Sequence, residues 1–129
     1  MDPGRIYIHY ENRFPRGHIK PHQGKETKDR LKDLLLGLKD RDGNPIIRSV
    51  FEKEEIYRGP FAENGPDLVC VPNPGYDLKG NMRKKEIFTT DIFKGMHTWE
   101  DAVLVSPASI PVGKITIEYP AKIILDYFS

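Results

Sequence analysis

The sequence is short of three things that often announce a function: cysteine, long apolar runs and an excess of charge of one sign. Cys70 is the single cysteine in 129 residues, so no internal disulfide can form. Its place in an apolar strand pattern suits a small buried hydrophobe in a reduced compartment. No apolar stretch approaches the length of a membrane span, and Met1-Asp2-Pro3-Gly4-Arg5 has no basic-then-apolar signal architecture. Twenty basic residues against 19 acidic ones leave a formal charge of +1. No broad field therefore draws in nucleic acid or an anionic membrane. Met82-Arg83-Lys84-Lys85 is a local basic cluster without an aromatic stacking platform, and it reads as a solvated loop. A soluble, cytoplasmic protein without nucleic-acid or membrane partners is expected.

Proline and glycine, by contrast, are plentiful at 11 each, and the hydrophobic fraction is a modest 38%. Much of the chain must be turn and loop around a small core. Arg5 to Tyr10 alternates, with Ile6, Ile8 and Tyr10 on one face, and predicts a strand. Leu31, Leu34, Leu35 and Leu38 fall at i, i+3, i+4 and i+7, the stripe of an amphipathic helix that ends in the turn Asp40 to Pro45. Ile46 to Tyr57 reads as extended, with its charged residues near an exposed end. Asp67-Leu68-Val69-Cys70-Val71-Pro72 predicts a central strand buried on both faces. Further strands are expected at Ile87 to Thr90, Ala102 to Val105 and Lys114 to Glu118. Pro120 opens a terminal helix. Strands mixed with helices predict an α/β layer. No repeat or linker divides residues 1–129, which are expected to form a single unit.

Most chemistry-bearing residues have a plain structural explanation. His18-Ile19-Lys20-Pro21-His22 has the spacing of a helical zinc pair, but Pro21 disfavours helix at Lys20, and exposed loop histidines are expected. His9 lies mid-strand opposite the apolar face. Asp40-Arg41-Asp42-Gly43 fails as a calcium loop, because the register puts Leu38 first and no carboxylate last. Ser49, Ser106 and Ser109 have no activating context, and Cys70 looks too buried to react. Glu54-Glu55 and Glu100-Asp101 read as solvated acids. His97 differs. It sits in a Gly-x-His turn, Gly95-Met96-His97, with Glu100 and Asp101 following and an apolar run beyond. Such a turn can present one imidazole at a strand edge, as a sheet-based metallohydrolase presents a ligand.

The order of motifs adds to this. Arg5-Ile6-Tyr7-Ile8, Asn12-Arg13-Phe14-Pro15-Arg16-Gly17 and the Leu-striped helix come first. Glu54-Glu55-Ile56-Tyr57-Arg58-Gly59-Pro60-Phe61, Gly65-Pro66-Asp67-Leu68-Val69 and Gly95-Met96-His97-Thr98 follow. Together they resemble the type I phosphodiesterase/nucleotide pyrophosphatase family of the alkaline phosphatase superfamily, from about Arg5 to Tyr127. The resemblance implies a mostly parallel sheet flanked by helices. It also implies two divalent metals, commonly zinc, and a Thr or Ser nucleophile that attacks phosphorus. His97 falls on the last histidine ligand of that family.

The nucleophile and the other ligand segments of the family are not found in this sequence. The chain is therefore expected to be the C-terminal portion of a longer phosphoric-ester hydrolase, with an incomplete core and no activity by itself. No catalytic residue is assigned within it. Glu100 or Asp101 is the candidate to orient the His97 ring. Asp101 stands where many relatives have a small residue, and Pro107-Ala108 replaces their Gly-Pro. Tyr57, Gly59, Pro60, Pro66 and Asp67 are expected to be structural, Asp67 as a turn cap. The alternative is a stand-alone, non-catalytic binding or assembly module. A severed sheet would leave an unpaired strand edge and allow a homo-oligomer, whereas a true module should be a monomer or a closed dimer.

Overall fold

The apolar run after Asp67 does become the centre of a sheet. The computed structural model describes residues 4–80, 83–90, 103–106, 109–110, 113 and 115–128. Strands β1 (Gly4–Ile6), β2 (Ile47–Glu52) and β3 (Leu68–Pro72) lie in the order β1-β3-β2. Arg5 pairs with Val69 and Val50 with Cys70, and both pairings are antiparallel. By contacts the chain divides into two compact units, Met1–Thr98 and Trp99–Ser129.

The mostly parallel sheet implied by the resemblance is not what the described strands form. Parallel neighbours need a long crossover between them. Between β2 and β3 the chain passes through the single-turn helix α2 (Lys53–Ile56) and a 3₁₀ turn (Ala62–Asn64), with no long helix to carry it across the sheet, and it returns antiparallel to β2. A real crossover does join β1 to β2 through the helix α1 (Gly24–Leu36). Those two strands run the same way, but β3 is inserted between them.

Helix α1 forms because Lys25 to Leu36 is rich in strong helix formers and contains no proline or glycine. A 3₁₀ turn, Pro21–Gln23, leads into it, and the Gln23 side chain accepts from the Lys20 N–H at 3.0 Å. Lys25 and Asp29 pair at 2.8 Å across one turn. The helix stops at Gly37, whose N–H donates to the Asp33 carbonyl. Leu31 and Leu35 pack on a core made by Ile46, Ile47, Val50, Leu68 and Cys70. Leu34 stays 59% exposed and Leu38 46% exposed. The four-leucine stripe is thus split, because Leu38 lies beyond the helix and only one line of α1 meets the sheet.

After Gly37 the Asp40 carboxylate closes the turn, accepting the N–H groups of Asp42 (2.9 Å) and Asn44 (2.8 Å). The Tyr76 hydroxyl donates to it from across the chain at 2.7 Å. The Tyr76 bond, then those from Asn44, hold the Asp40 carboxyl down from 3.8 to about 2. A folded-state value below the unfolded one stabilises the fold above the unfolded value, and that gain fades as pH falls through the folded one. The urea midpoint should therefore fall more steeply between pH 4 and pH 2 in the wild type than in Asp40→Asn. Parallel profiles would remove Asp40 from the acid response.

Other sequence expectations are corrected. The charged end of the 46–57 segment is helical, not extended. Glu52 caps α2 through a reciprocal pair with Glu55, which satisfies end groups a strand would leave to a neighbour. Residues 87–90 form no strand, although Phe88 packs on the core. Residues 103–105 form no strand either, and Val103 and Val105 are 84% and 88% exposed. Nor do residues 115–118. Apolar content alone does not make a strand; each needs a neighbouring ladder, and these segments have none among the described residues. In the second unit α3 (Tyr119–Phe128) carries Pro120 in its first turn, as expected.

Candidate functional site

Three of the motif blocks, 5–8, 12–17 and 65–69, meet at Asp67, which is only 5% exposed. Its backbone N–H donates to the Ile6 carbonyl at 2.9 Å, and its own carbonyl accepts from the Lys53 N–H at 3.1 Å. Its carboxylate reaches further. Oδ2 accepts the Ile8 N–H at 2.7 Å, and Arg13 Nη1 stands 3.3 Å from both oxygens. Arg13 Nη2 donates to the Gly65 carbonyl at 3.0 Å. The guanidinium also lies over the rings of Tyr7 (5.5 Å) and Phe14 (5.3 Å). Charge-assisted bonds of this kind are among the stronger ones a protein makes. Gly65 completes the junction: a Cβ there would sit 3.2 Å from the Tyr57 ring and 3.0 Å from the Ala62 carbonyl.

The loop that carries Arg13 is held as firmly. The His18 N–H donates to the His9 carbonyl at 2.9 Å and the Glu11 N–H to the Ile19 carbonyl at 3.0 Å. Gly17 comes so close to this turn that a Cβ would lie 2.0 Å from the Tyr10 carbonyl oxygen. Backbone cannot yield as a side-chain tip does. Gly17→Ala should cost about 1–3 kcal/mol in urea unfolding; an unchanged midpoint would show that the loop is slack.

Beside Asp67 opens a cleft of about 430 Å³ lined by Tyr10, Asn12, Arg13, Lys53, Glu63 and Asn64. Lys53 Nζ meets Glu63 Oε2 at 2.8 Å. That bond, followed by the field of Lys53, holds the Glu63 carboxyl below its usual range. Burial first, then the charge of Asp67, pushes the Tyr10 hydroxyl up, so it remains a proton donor at neutral pH. Glu52, at the end of β2, pairs with Lys28 (2.5 Å) and Lys32 (3.2 Å), tying α1 to that strand.

The candidate metal ligand His97 lies outside the described residues, as do Glu100 and Asp101. Of the other histidines, His9 stacks on Phe14 at 4.8 Å and lies 6.4 Å from His18, ring to ring. His22 sits in the 3₁₀ turn rather than on a helix with His18. Among the described residues no three His, Cys, Asp or Glu side chains gather around a point where a metal ion would sit. Cys70 is buried, and burial raises its thiol away from the reactive thiolate. Asp40 and Asp42 form the turn already described, not a cation loop.

Two features of this site escape local sequence reading. Asp67 is not a local turn cap; it holds Ile8 and Arg13, 59 and 54 residues away. Lys53 and Glu63 look like ordinary surface charges until the chain folds α2 against the 62–64 turn.

What emerges is a mixed α and β fold with a small antiparallel sheet and a polar cleft at one strand's entry. Among the described residues no helix is long and apolar enough to cross a membrane. Comparison with protein-family models, curated proteins and solved structures finds no match to this chain.

Proposed function

We propose that this chain is the C-terminal part of a metal-dependent phosphoric-ester hydrolase of the phosphodiesterase/nucleotide pyrophosphatase type, with His97 as one metal ligand. The observation that carries the reading is the convergence at Asp67. Three separate motif blocks of the resemblance come together there: Arg13 bonds to Asp67 and to the Gly65 carbonyl of the 65–69 block, and the Tyr57 ring lies against Gly65. Motifs that co-occur by chance have no reason to share hydrogen bonds. In this reading the antiparallel sheet lies beside the mostly parallel sheet that the resemblance implies. The described residues take no part in metal binding, and the chain alone turns over no substrate.

The test uses antibody raised against this chain to capture the native protein from source cells. The captured protein should hydrolyse bis-p-nitrophenyl phosphate, lose that activity to a chelator, and regain it with zinc. His97→Ala in the same protein should abolish metal-dependent turnover. Capture of a 14.8 kDa chain with no phosphodiesterase activity would sink the reading.

One observation favours a second reading, a non-catalytic assembly module. On α3, Ile124, Leu125, Tyr127 and Phe128 are all exposed, more apolar surface than one turned-out residue would leave. That reading requires the 14.8 kDa species in the cell, recovered with a bound partner.

A further inference from the structure

We propose that the cleft beside Asp67 binds a small phosphate-bearing anion, and that Glu63 occupies its Lys53 end as a built-in substitute for that anion. The asymmetry of the Lys53–Glu63 pair points there. The lysine side chain is 13% exposed, whereas the glutamate side chain is 87% exposed. A covered cation thus receives a carboxylate that otherwise hangs in solvent.

The lysine is the fixed partner. It is the first residue of α2, and its N–H is bonded to the Asp67 carbonyl. Glu63 rides on a three-residue turn. Arg13 adds a second, weaker pull on the same carboxylate. Lys53 and Arg13 both line the cleft that Glu63 borders, Arg13 sharing its charge with Asp67.

The surroundings suit a phosphate group. Asn12, Asn64 and Tyr10 also line the cleft, and all three carry side-chain groups able to donate hydrogen bonds to phosphate oxygens. Asp67 also borders it, but its charge is met by the Ile8 N–H and by Arg13. Arg13, Lys53, Asp67 and Glu63 sum to zero charge, and the site becomes net positive once Glu63 swings out. A phosphate dianion with several acceptor atoms can use more of these donors than a carboxylate can. At about 430 Å³ the cleft also has room for the organic group of a phosphate ester. A pair with so exposed a partner is a weak competitor, lowering anion affinity by no more than about fivefold. The inference is independent of His97 and of metal, so it can fail or stand apart from the hydrolase reading.

The experiment is a titration of the whole chain with inorganic phosphate at constant ionic strength, read in ¹H–¹⁵N correlation spectra, with acetate in parallel. Saturable shifts are expected at Lys53, Asn64 and Asn12, with acetate at least tenfold weaker. Lys53→Met should weaken phosphate at least tenfold. Glu63→Gln removes the competing charge and should tighten phosphate about two- to fivefold. This second variant lies on an exposed turn, so it tests the idea even if Lys53→Met misfolds. No saturable shift, an equal response to acetate, or a Glu63→Gln variant that binds no tighter would overturn the proposal.

Discussion

Replacing Asp67 with alanine should cost about 3–5 kcal/mol of folding stability, a large share of what a domain of this size has to lose. The carboxylate accepts the Ile8 N–H at 2.7 Å and faces Arg13 at 3.3 Å, with only 7% of its side chain exposed. Its removal leaves a buried amide without its acceptor and a guanidinium held among rings without its counter-charge. Asp67→Asn keeps an oxygen for Ile8 but not the charge for Arg13, and should cost less, about 1–3 kcal/mol. Arg13→Met should hurt the wild type more than it hurts Asp67→Ala, with a coupling of about 0.5–3 kcal/mol. Urea unfolding of the four proteins measures this directly. Additive losses would mean that Arg13 and Asp67 act separately and that the motif blocks merely lie near each other.

The parts of the fold legible in the sequence are those whose burial is set locally. β3 was readable because Leu68 to Pro72 is apolar without interruption, which suits a strand with neighbours on both sides. α1 and α3 were readable from helix-forming composition, spacing and Pro120. The failures share a cause. Residues 87–90, 103–105 and 115–118 have strand composition, but pairing is a tertiary property, and no partner strand meets them among the described residues. The charged stretch at Lys53 to Ile56 differs the other way: Glu52 and Glu55 cap a helical turn where the sequence predicts the exposed end of an extended segment. The parallel sheet came from the resemblance rather than from any connection in the chain, and the described strands pair antiparallel.

The site was less legible, for a physical reason. Arg13 and Asp67 each have an innocent local explanation, as a loop cation and a turn cap. Their pairing depends on β1 lying beside β3, which brings Ile8 and the start of the 12–17 loop to the Gly65-Pro66-Asp67 turn. The motif residues could be recognised as a set without showing that they touch. Lys53 and Glu63 carried no signal, since an exposed charge is the default.

Leu68→Ala is the second large effect, expected at about 2–5 kcal/mol. Leu68 is fully covered, at 0% exposure, and its strand is bonded to β1 through Ile6 and to β2 through Glu52. Two ladders hold the walls of the resulting cavity apart, so little collapse can relieve it. Leu34→Ala makes the same chemical change on α1, where the side chain already faces solvent, and should stay within about 0.5 kcal/mol. From the sequence the two leucines look alike, each part of an apolar pattern. If their urea midpoints fell equally, α1 would pack on the sheet through a different face. A loss confined to Leu68 would confirm that the fold's stability is concentrated where β3 runs between its two neighbours, directly after the Asp67 junction that fixes its entry.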